Sequence, residues 1–302
     1  MSQGASLLRV GIAYIVAIAA GLVWLLWGPD TGQLWLDGLI ADLIATVVIF
    51  AASRIYGNSS FYDAYWSVIP PLLAFYWWVA ADAGVNDARW WLMMVVLLAW
   101  AIRLTANWIR TFPGMHHEDW RYPMIRERAG KFEFGADLMG IHVFPTLQVF
   151  AGLIPVYVVA TRAGEPLGWL DFVAFAVGLA ALALETIADL QMHRFIATRS
   201  PGQVMDTGVW SWSRHPNYFG ECGIWFSMGL FGLAAYPGAW WVFAGTAAMV
   251  AMFLAVSIPL METRSLERRP EYARVVDRVS LFIPRPPKKS PTEKDRRAQS
   301  PA

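Results

Sequence analysis

Long apolar stretches separated by short polar segments dominate the chain. A helix needs about 20 mostly apolar residues to cross a bilayer. Eight stretches approach that length: 7–27, 34–55, 65–81, 90–109, 140–161, 167–190, 217–236 and 239–261. The third is short, and Pro70-Pro71 is expected to break or kink it. The pattern predicts an all-α fold, a polytopic bundle of seven to eight transmembrane helices.

Composition supports a membrane protein and excludes several other classes. The 302 residues are 57% hydrophobic and 16% charged, whereas about 25% charged residues is usual in soluble domains. The net charge of +1 gives no reason to expect a nucleic acid partner. Cys222 is the single cysteine, so neither an intramolecular disulfide nor a cysteine metal cluster can form. The first apolar stretch is long enough to span, unlike a cleavable signal.

Loop charges predict the orientation. Lys and Arg concentrate in the connections 103–131 and 191–215 and after residue 261, while the loops 28–33 and 237–238 have none. Basic loops stay in the cytoplasm, so eight spans in a bacterial inner membrane would place both termini inside. We expect one transmembrane catalytic domain over 1–285. Residues 286–302 have too little apolar content to fold and are expected to form a disordered tail.

The most informative stretch runs from Ser213 to Glu221, directly before an apolar run. Pro216 suits the first turn of a helix. Arg214, Asn217, Tyr218 and Glu221 would then share one face that offers a guanidinium, an amide, a phenol and a carboxylate. The alternative is a capped interfacial helix start with a tyrosine anchor.

Other polar sets lie at the same predicted ends of the spans. Arg103, Asn107 and Arg110 form one stripe, which is also the pattern of arginines that reach toward lipid headgroups. Glu185 and Asp189 share a face of the sixth stretch, where an ion pair with Arg103 or Arg110 is the structural alternative. The adjacent His116-His117 is weak evidence for a metal site, and we expect no metal.

Charge in the two long connections suggests a soluble anionic ligand. Together they hold nine Lys and Arg against four Asp and Glu. A cytoplasmic cavity lined in this way suits a polyanionic cofactor. The sequence has no G-x-G-x-x-G after a strand pattern and no Walker motif, so membrane helices would have to hold any nucleotide.

The last third carries a specific resemblance. The run from Arg214 to Glu221, followed by Glu262 with Leu266, then Pro270-Glu271-Tyr272 and 282–285, resembles the bacterial members of the steroid 5α-reductase C-terminal superfamily, the DUF1295 proteins. The ending is more distantly similar to isoprenylcysteine carboxyl methyltransferases. The resemblance covers about 58–285, with the first span as an addition.

The resemblance implies NADPH-dependent reduction of the 4,5 double bond of a 3-oxo-Δ4 steroid. Asn217 and Glu221 match the family's cofactor-contacting residues, as do Asp189 and Arg103, while Glu185 replaces an asparagine. The candidate cofactor-binding residues are Arg103, Asn107, Arg110, Arg121, Tyr122, Glu185, Asp189, Arg194, Arg199, His215, Asn217, Tyr218, Glu221 and Glu262.

The proton donor departs from the family. Its catalytic tyrosine falls on Trp100, and its catalytic glutamate has no clear counterpart. Asp63, which would stay protonated in an aromatic pocket, is the substitute; the alternative is that it caps the third span. Asp63, Tyr65 and Trp100 are the candidate catalytic residues. Asp42 and His142 are further intramembrane candidates.

Three functions follow. The first is an NADPH-dependent reductase, a monomer, that takes a lipophilic enone from the bilayer among the membrane lipids. The second is an S-adenosylmethionine-dependent methyltransferase of a lipid or isoprenylated substrate, although Thr263 replaces that family's second glutamate. The third is a transporter or structural membrane protein, for which broken helices at Pro70-Pro71 and Pro145 would be evidence.

Overall fold

The chain is helical throughout the part that the structure describes. A computed structural model covers residues 2–81, 84 and 87–288, and no strand occurs in these ranges. The α-helices are α1 Gln3–Trp27, α2 Leu34–Tyr56, α3 Tyr65–Ala81, α4 Asp87–Thr111, α5 Arg121–Ala129, α6 Glu133–Ala136, α7 Phe144–Gly152, α8 Ile154–Thr161, α9 Trp169–Thr198, α10 Pro216–Ala235, α11 Ala244–Met252, α12 Ile258–Arg268 and α13 Ala273–Arg278.

All eight apolar stretches are helical, but fewer meet the requirements for spanning a membrane. In the part of the chain that the structure describes, five helical segments are long and apolar enough to cross: Gln3–Trp27, Leu34–Tyr56, Asp87–Thr111, Trp169–Thr198 and Trp240–Arg268. A sixth is added if Arg121–Gly152 and Ile154–Thr161, bent by 46°, form one span. With 17 residues α3 is short, and α10 contains Glu221 and several glycines, which lower its apolarity.

Helix breaks occur at other places than the prolines of α3. Pro70 and Pro71 both lie inside the continuous helix α3. The fifth stretch is interrupted instead: a π-turn, Asp137–Val143, precedes α7, and the chain bends at Leu153 before α8. A second π-turn, Phe253–Ser257, joins α11 to α12. Such π-turns are frequent at functional sites.

The chain divides into two compact units. Unit 1 contains residues 1–178 and 225–248, and unit 2 contains 179–224 and the chain from 249 on. The chain therefore passes between the units inside α9, α10 and α11. The candidate residues 42–122 belong to unit 1, and those from Glu185 to Glu262 belong to unit 2.

Small residues and indole rings pack the helices of unit 1. A Cβ on Gly21 would lie 3.1 Å from the carbonyl oxygen of Ala41, so α1 and α2 pack at close range. Gly38 lies against the ring of Trp77, whose Nε1 donates to the carbonyl of Leu34 at 3.0 Å. Glycine at these positions brings helix backbones together, as in other membrane helices.

In unit 2, glycines likewise let α9 and α10 pack at close range. A Cβ on Gly220 would lie 2.6 Å from Cγ of Glu185, and one on Gly223 would lie 2.8 Å from Cβ of Ala181. This contact brings the first turns of α10 to the middle of α9. A small cluster of Val204, Val275 and Val279 packs the end of the chain.

Candidate functional site

Asp63 lies in the turn before α3 and receives two side-chain hydrogen bonds. The hydroxyl of Tyr122 donates to Oδ1 in a very short bond, and Nε1 of Trp108 donates to Oδ2 at 3.4 Å. These donors come from α5 and α4. Both oxygens are therefore engaged by other helices rather than by the first N–H groups of α3.

Burial changes the acidity of this group. Burial raises the pKa of Asp63 to about 6, although the hydrogen bond from Tyr122 opposes the shift. Nearby Asp119 behaves in the opposite way. Burial would raise its pKa, but hydrogen bonds from the Arg121 guanidinium, with Nε to Oδ1 at 2.8 Å, hold that pKa below its usual range. Of the two carboxyl groups, Asp63 is therefore the one that is more easily protonated.

Tyr65 belongs to a separate cluster inside the helices of unit 1. Its hydroxyl donates to Oδ1 of Asp42 at 2.9 Å. Both residues line a small cavity with about 10 Å³ of space for a water-sized group. The other lining residues are Tyr62, Trp66, Ile69, Pro70, Thr146, Val149 and Leu153. A space of this size holds about one water molecule.

Trp100 is a packing residue. Its indole is fully buried and meets the rings of Trp66 and Trp225 edge to face, with centroids 5.7 and 5.2 Å away. An indole can donate one hydrogen bond but cannot accept one. The three predicted catalytic residues thus have different surroundings, and Trp66 connects two of them, since it contacts Trp100 and lines the Tyr65 cavity.

The stripe on α4 and the start of α5 hold the cofactor candidates of unit 1. Arg103 and Asn107 are partly buried and Arg110 is exposed. Arg121 is paired with Asp119. Tyr122 is bound to Asp63. Tyr122 and Arg121 are therefore held by carboxylates of the protein itself.

Unit 1 contains a charged network that the sequence alone did not predict. The amide Nδ2 of Asn58 donates to the carbonyls of Met115 and His117 at 3.0 and 2.9 Å. The backbone N–H of Ser59 donates to Oε1 of Glu118 at 2.7 Å, and Glu118 pairs with Arg126 at 2.5 Å. These bonds fix the segment 114–126 against the end of α2.

The network continues into the π-turn. Arg54 pairs with Glu133 at 2.8 Å and with the buried Asp137 at 3.1 Å. The hydroxyl of Ser59 donates to the other oxygen of Asp137 at 2.9 Å. His142 bonds through its two ring nitrogens to the carbonyl of Asp137 and the hydroxyl of Ser53, each at 3.0 Å. His142 is thus a structural link, and its backbone carbonyl accepts a hydrogen bond from Thr146, which lines the cavity of Tyr65.

In unit 2, α10 starts at Pro216, as the stretch from Ser213 to Glu221 predicted. Arg214 precedes it and holds Glu262 with two bonds, Nε to Oε1 at 2.5 Å and Nη2 to Oε2 at 3.1 Å. Arg214 also donates to the carbonyls of Val276 and Val279. Arg214 is therefore an anchor for the end of the chain.

His215 shares the carboxylate of Glu262 and stacks on a ring. Its Nε2 lies 3.3 Å from Oε1 of Glu262, and its ring is nearly parallel to Tyr218, with centroids 5.4 Å apart. Tyr218 in turn stacks on Phe253 at 4.5 Å. Glu262 therefore holds both Arg214 and the His215 ring in place.

Glu185 of α9 and Glu221 of α10 lie near the contact of these two helices. Both are buried, and Gly220, the residue before Glu221, packs directly against Cγ of Glu185. Asn217 and Asp189 are partly buried. Arg194 lies near the end of α9 and Arg199 directly follows it, and both are exposed. Unit 2 therefore holds two groups of candidates, His215 with Tyr218 and Glu262, and Glu185 beside the first turns of α10.

The described residues contain no cluster of side chains suited to a metal ion. Among residues 2–81, 84 and 87–288, no group of three or more His, Cys, Asp or Glu side chains is arranged to hold a metal ion.

Two comparisons with known proteins gave a match. A family model described as a protein of unknown function, DUF1295, matches residues 49–279. A curated relative, the uncharacterized protein C594.04c of Schizosaccharomyces pombe, is 28% identical over 275 residues, which cover 82% of this chain and 79% of that protein. No solved structure matches. The chain therefore belongs to the DUF1295 family, which is related to the steroid 5-alpha-reductase-like proteins.

Proposed function

We propose that this protein is an NADPH-dependent membrane reductase of the 4,5 double bond of a 3-oxo-Δ4 steroid or a related lipophilic enone. The observation that carries the proposal is the Asp42–Tyr65 pair, which lines an aromatic cavity between membrane helices. A phenol in such a place can polarise a carbonyl group. The relation of the family to reductase-like proteins adds support.

Of the two phenols at the cavity, Tyr65 is the better donor for a substrate. Thr146 donates its single hydroxyl proton to the carbonyl of His142 at 2.9 Å. In that arrangement it accepts from Tyr62, 2.8 Å away, which occupies the Tyr62 proton. The Tyr65 phenol donates to Oδ1 of Asp42 at 2.9 Å and to the backbone carbonyl of Asp42 at 3.2 Å, and a substrate carbonyl would replace the longer of these two bonds. Tyr65 then polarises a carbonyl oxygen in the space of one water molecule.

The residues of unit 2 fit the chemistry of a dinucleotide. Arg194 and Arg199 are exposed, and within the described ranges neither lies within 4.0 Å of a carboxylate. Guanidinium groups of this kind suit phosphates. Asn217 and Tyr218 in the first turn of α10, with His215 oriented by Glu262, would hold ribose and base. When bound, NADPH would supply the hydride to the β-carbon of the enone and leave as NADP⁺.

The proton for the α-carbon has to come from the chain or from water. Asp63 is a candidate because its pKa of about 6 lies closer to neutral pH than that of an ordinary carboxyl group, and the Tyr122 hydroxyl donates to it. The carbon–carbon double bond is reduced by one hydride and one proton. Each group of the protein either donates a hydrogen bond or moves a proton.

The membrane arrangement is part of the proposal. We propose seven to eight crossings, which the apolar pattern predicts, and each of the eight apolar stretches is helical. The basic connections lie on one side if both termini are in the cytoplasm of a bacterial cell. The protein would act as a monomer that takes its substrate from the bilayer and its cofactor from the cytoplasm.

The test combines binding and turnover with the purified protein in detergent. NADPH should raise the melting temperature, because a ligand of the folded state stabilises it, and a 3-oxo-Δ4 steroid should then oxidise NADPH. Tyr65→Phe should lower kcat about 100- to 1,000-fold, as expected for the loss of one donor to a developing oxyanion. Tyr62→Phe, which removes a committed hydroxyl from the same cavity, should lower it less than about tenfold.

Two outcomes would contradict the proposal. Stabilisation by S-adenosylmethionine and not by NADPH would favour the methyltransferase. Equal rates for Tyr65→Phe and the wild type would remove the cavity of Asp42 and Tyr65 from the reaction.

A further inference from the structure

A second and larger pocket lies at the other end of the helices of unit 1. Its volume is about 330 Å³, within the range of about 300–1,000 Å³ typical of ligand sites. The pocket is formed where α1 ends, α2 begins and α3 ends. The lining residues are Trp24, Leu25, Leu26, Gly28, Pro29, Asp30, Leu34, Asp37, Tyr76 and Ala80.

This pocket is separate from the cavity of Asp42 and Tyr65, although α2 and α3 contribute to both. Asp37 lies five residues before Asp42 on α2, about 8 Å along the helix axis. The pocket and the cavity have no lining residue in common. Residues 24–37 also precede the region that matches the family model, 49–279. The pocket belongs largely to the added first helix and the start of α2.

The polar groups of the pocket are acidic. Asp30 and Asp37 both line it, and both act electrostatically on Tyr76, which lies between apolar walls. No Lys or Arg occurs between residues 10 and 53. Within the described ranges, neither carboxylate lies within 4.0 Å of a basic group. The pocket therefore presents uncompensated negative charge.

Asp37 gives an independent reason to expect a ligand. Its side chain is buried, with 7% of the residue exposed. It receives one hydrogen bond, from the backbone N–H of Thr31 to Oδ1 at 3.3 Å. Oδ2 accepts none from any residue that the structure describes. A buried carboxylate in apolar surroundings is costly without a partner.

The position of Asp37 in the first turn of α2 does not explain this burial. An acidic residue there interacts favourably with the helix dipole, but this interaction is weak. The carboxylate makes no hydrogen bond to the first N–H groups of α2. An exposed acidic residue would stabilise the helix equally well. Asp87 in the first turn of α4 is such a residue.

We propose that this pocket binds an amphiphilic amine, with the ammonium group at Asp37 and Asp30 and the apolar part against Trp24, Leu26 and Leu34. A cation satisfies the free oxygen of Asp37, and the faces of Trp24 and Tyr76 attract positive charge as well. Zwitterionic lipid headgroups and anions fit poorly, because no basic residue is present to receive a phosphate. The site is independent of the proposed reductase activity.

The test is a binding titration of the purified full-length protein in a non-ionic detergent at pH 7. The probe is n-hexylammonium, with n-hexanol and hexyl sulfate as neutral and anionic controls of equal chain length. We expect saturable stabilisation by hexylammonium alone. Asp37→Asn should raise the apparent Kd at least tenfold, since it removes the buried charge and keeps the shape. Asp87→Asn, the same change in the first turn of another helix, should leave the Kd within twofold.

A second variant covers the case in which Asp37→Asn fails to fold. Ala80→Phe keeps both carboxylates and fills the pocket from an exposed position, and it should weaken binding of hexylammonium to a similar extent. The proposal is overturned if hexanol stabilises the protein as well as hexylammonium does, or if both variants bind like the wild type. It is also overturned if calcium stabilises through Asp37 and the amine does not.

Discussion

Arg89 and Asp171 show most clearly how single charges are held in this protein. Their side chains are 2% and 0% exposed, and Nε of Arg89 lies 2.6 Å from Oδ1 of Asp171. Arg89 also donates to the carbonyls of Glu165 and Pro166. An ion pair is retained in a buried place only when its remaining hydrogen bonds are satisfied in this way.

Removal of one partner should therefore be strongly destabilising. Arg89→Met leaves Asp171 charged and buried, and we expect a loss of about 3–5 kcal/mol in the free energy of unfolding. Arg121→Met breaks an Arg–Asp pair of similar length whose side chains are 39% and 27% exposed, and we expect a loss of about 0–1 kcal/mol. Thermal unfolding in detergent measures both. Equal losses would show that burial is not the deciding factor.

Asp63 predicts a dependence of stability on pH. In the unfolded chain its pKa is about 4, whereas in the folded protein it is about 6. The folded state therefore binds more protons between these values, so the contribution of Asp63 to stability falls as the pH rises from about 4 to about 6. Asp63→Asn lacks this contribution. As the pH rises from about 4 to about 6, the melting temperature of the wild type should fall relative to that of the variant. A difference between the two melting temperatures that stays constant over this range would contradict the raised pKa.

The sequence identified many of the polar residues but few of their partners. The motif Arg214 to Glu221 was expected to face a cofactor, and the expectation of a helix that starts at Pro216 is confirmed. That Arg214 binds Glu262 and the carbonyls of Val276 and Val279 depends on contacts up to 65 residues apart. Periodicity carries no information about such pairs. The same holds for Arg54 with Asp137, which are 83 residues apart.

At the scale of the helices, the close contact of α9 with α10 depends on two glycines, which have no side chain. Gly220 and Gly223 let the two backbones approach at Ala181 and Glu185. Gly220→Ala should cost about 1–3 kcal/mol, because its Cβ would overlap Cγ of Glu185 and the carbonyl of Ala181. Gly11→Ala is the matched control in α1. No atom lies within 4 Å of its added Cβ, so we expect no loss and a gain of up to about 1 kcal/mol. Equal losses in thermal unfolding would contradict the close packing.

Helix positions were more predictable than helix interruptions. Apolar length alone located all eight helical stretches, because burial in lipid requires an unbroken apolar surface. The interruption was expected at Pro70-Pro71, but α3 continues through both, and the bend lies at Leu153. Neighbouring groups in a bundle can satisfy the carbonyls that a proline leaves free. Which helix bends therefore depends on packing that the sequence does not display.

Across the whole chain, the distribution of Lys and Arg predicts the topology. A reporter fused after Arg285 should read cytoplasmic, and one inserted at Pro237-Gly238 should read periplasmic, because basic connections remain inside. The control is an insertion in the loop 28–33, which has no Lys or Arg and should also read periplasmic. The reverse pattern would place the arginines of α9 on the side that lacks NADPH.

Hydride transfer is the central claim, and isotope transfer tests it most directly. Purified protein is incubated with NADPH that carries deuterium at the reactive carbon of the nicotinamide, together with a 3-oxo-Δ4 steroid, and the product is analysed by mass spectrometry. The account predicts a saturated ketone with deuterium on the β-carbon, and about 100- to 1,000-fold slower formation with Tyr65→Phe. Unchanged steroid with the folded wild-type protein, or a methylated product formed from S-adenosylmethionine, would contradict it.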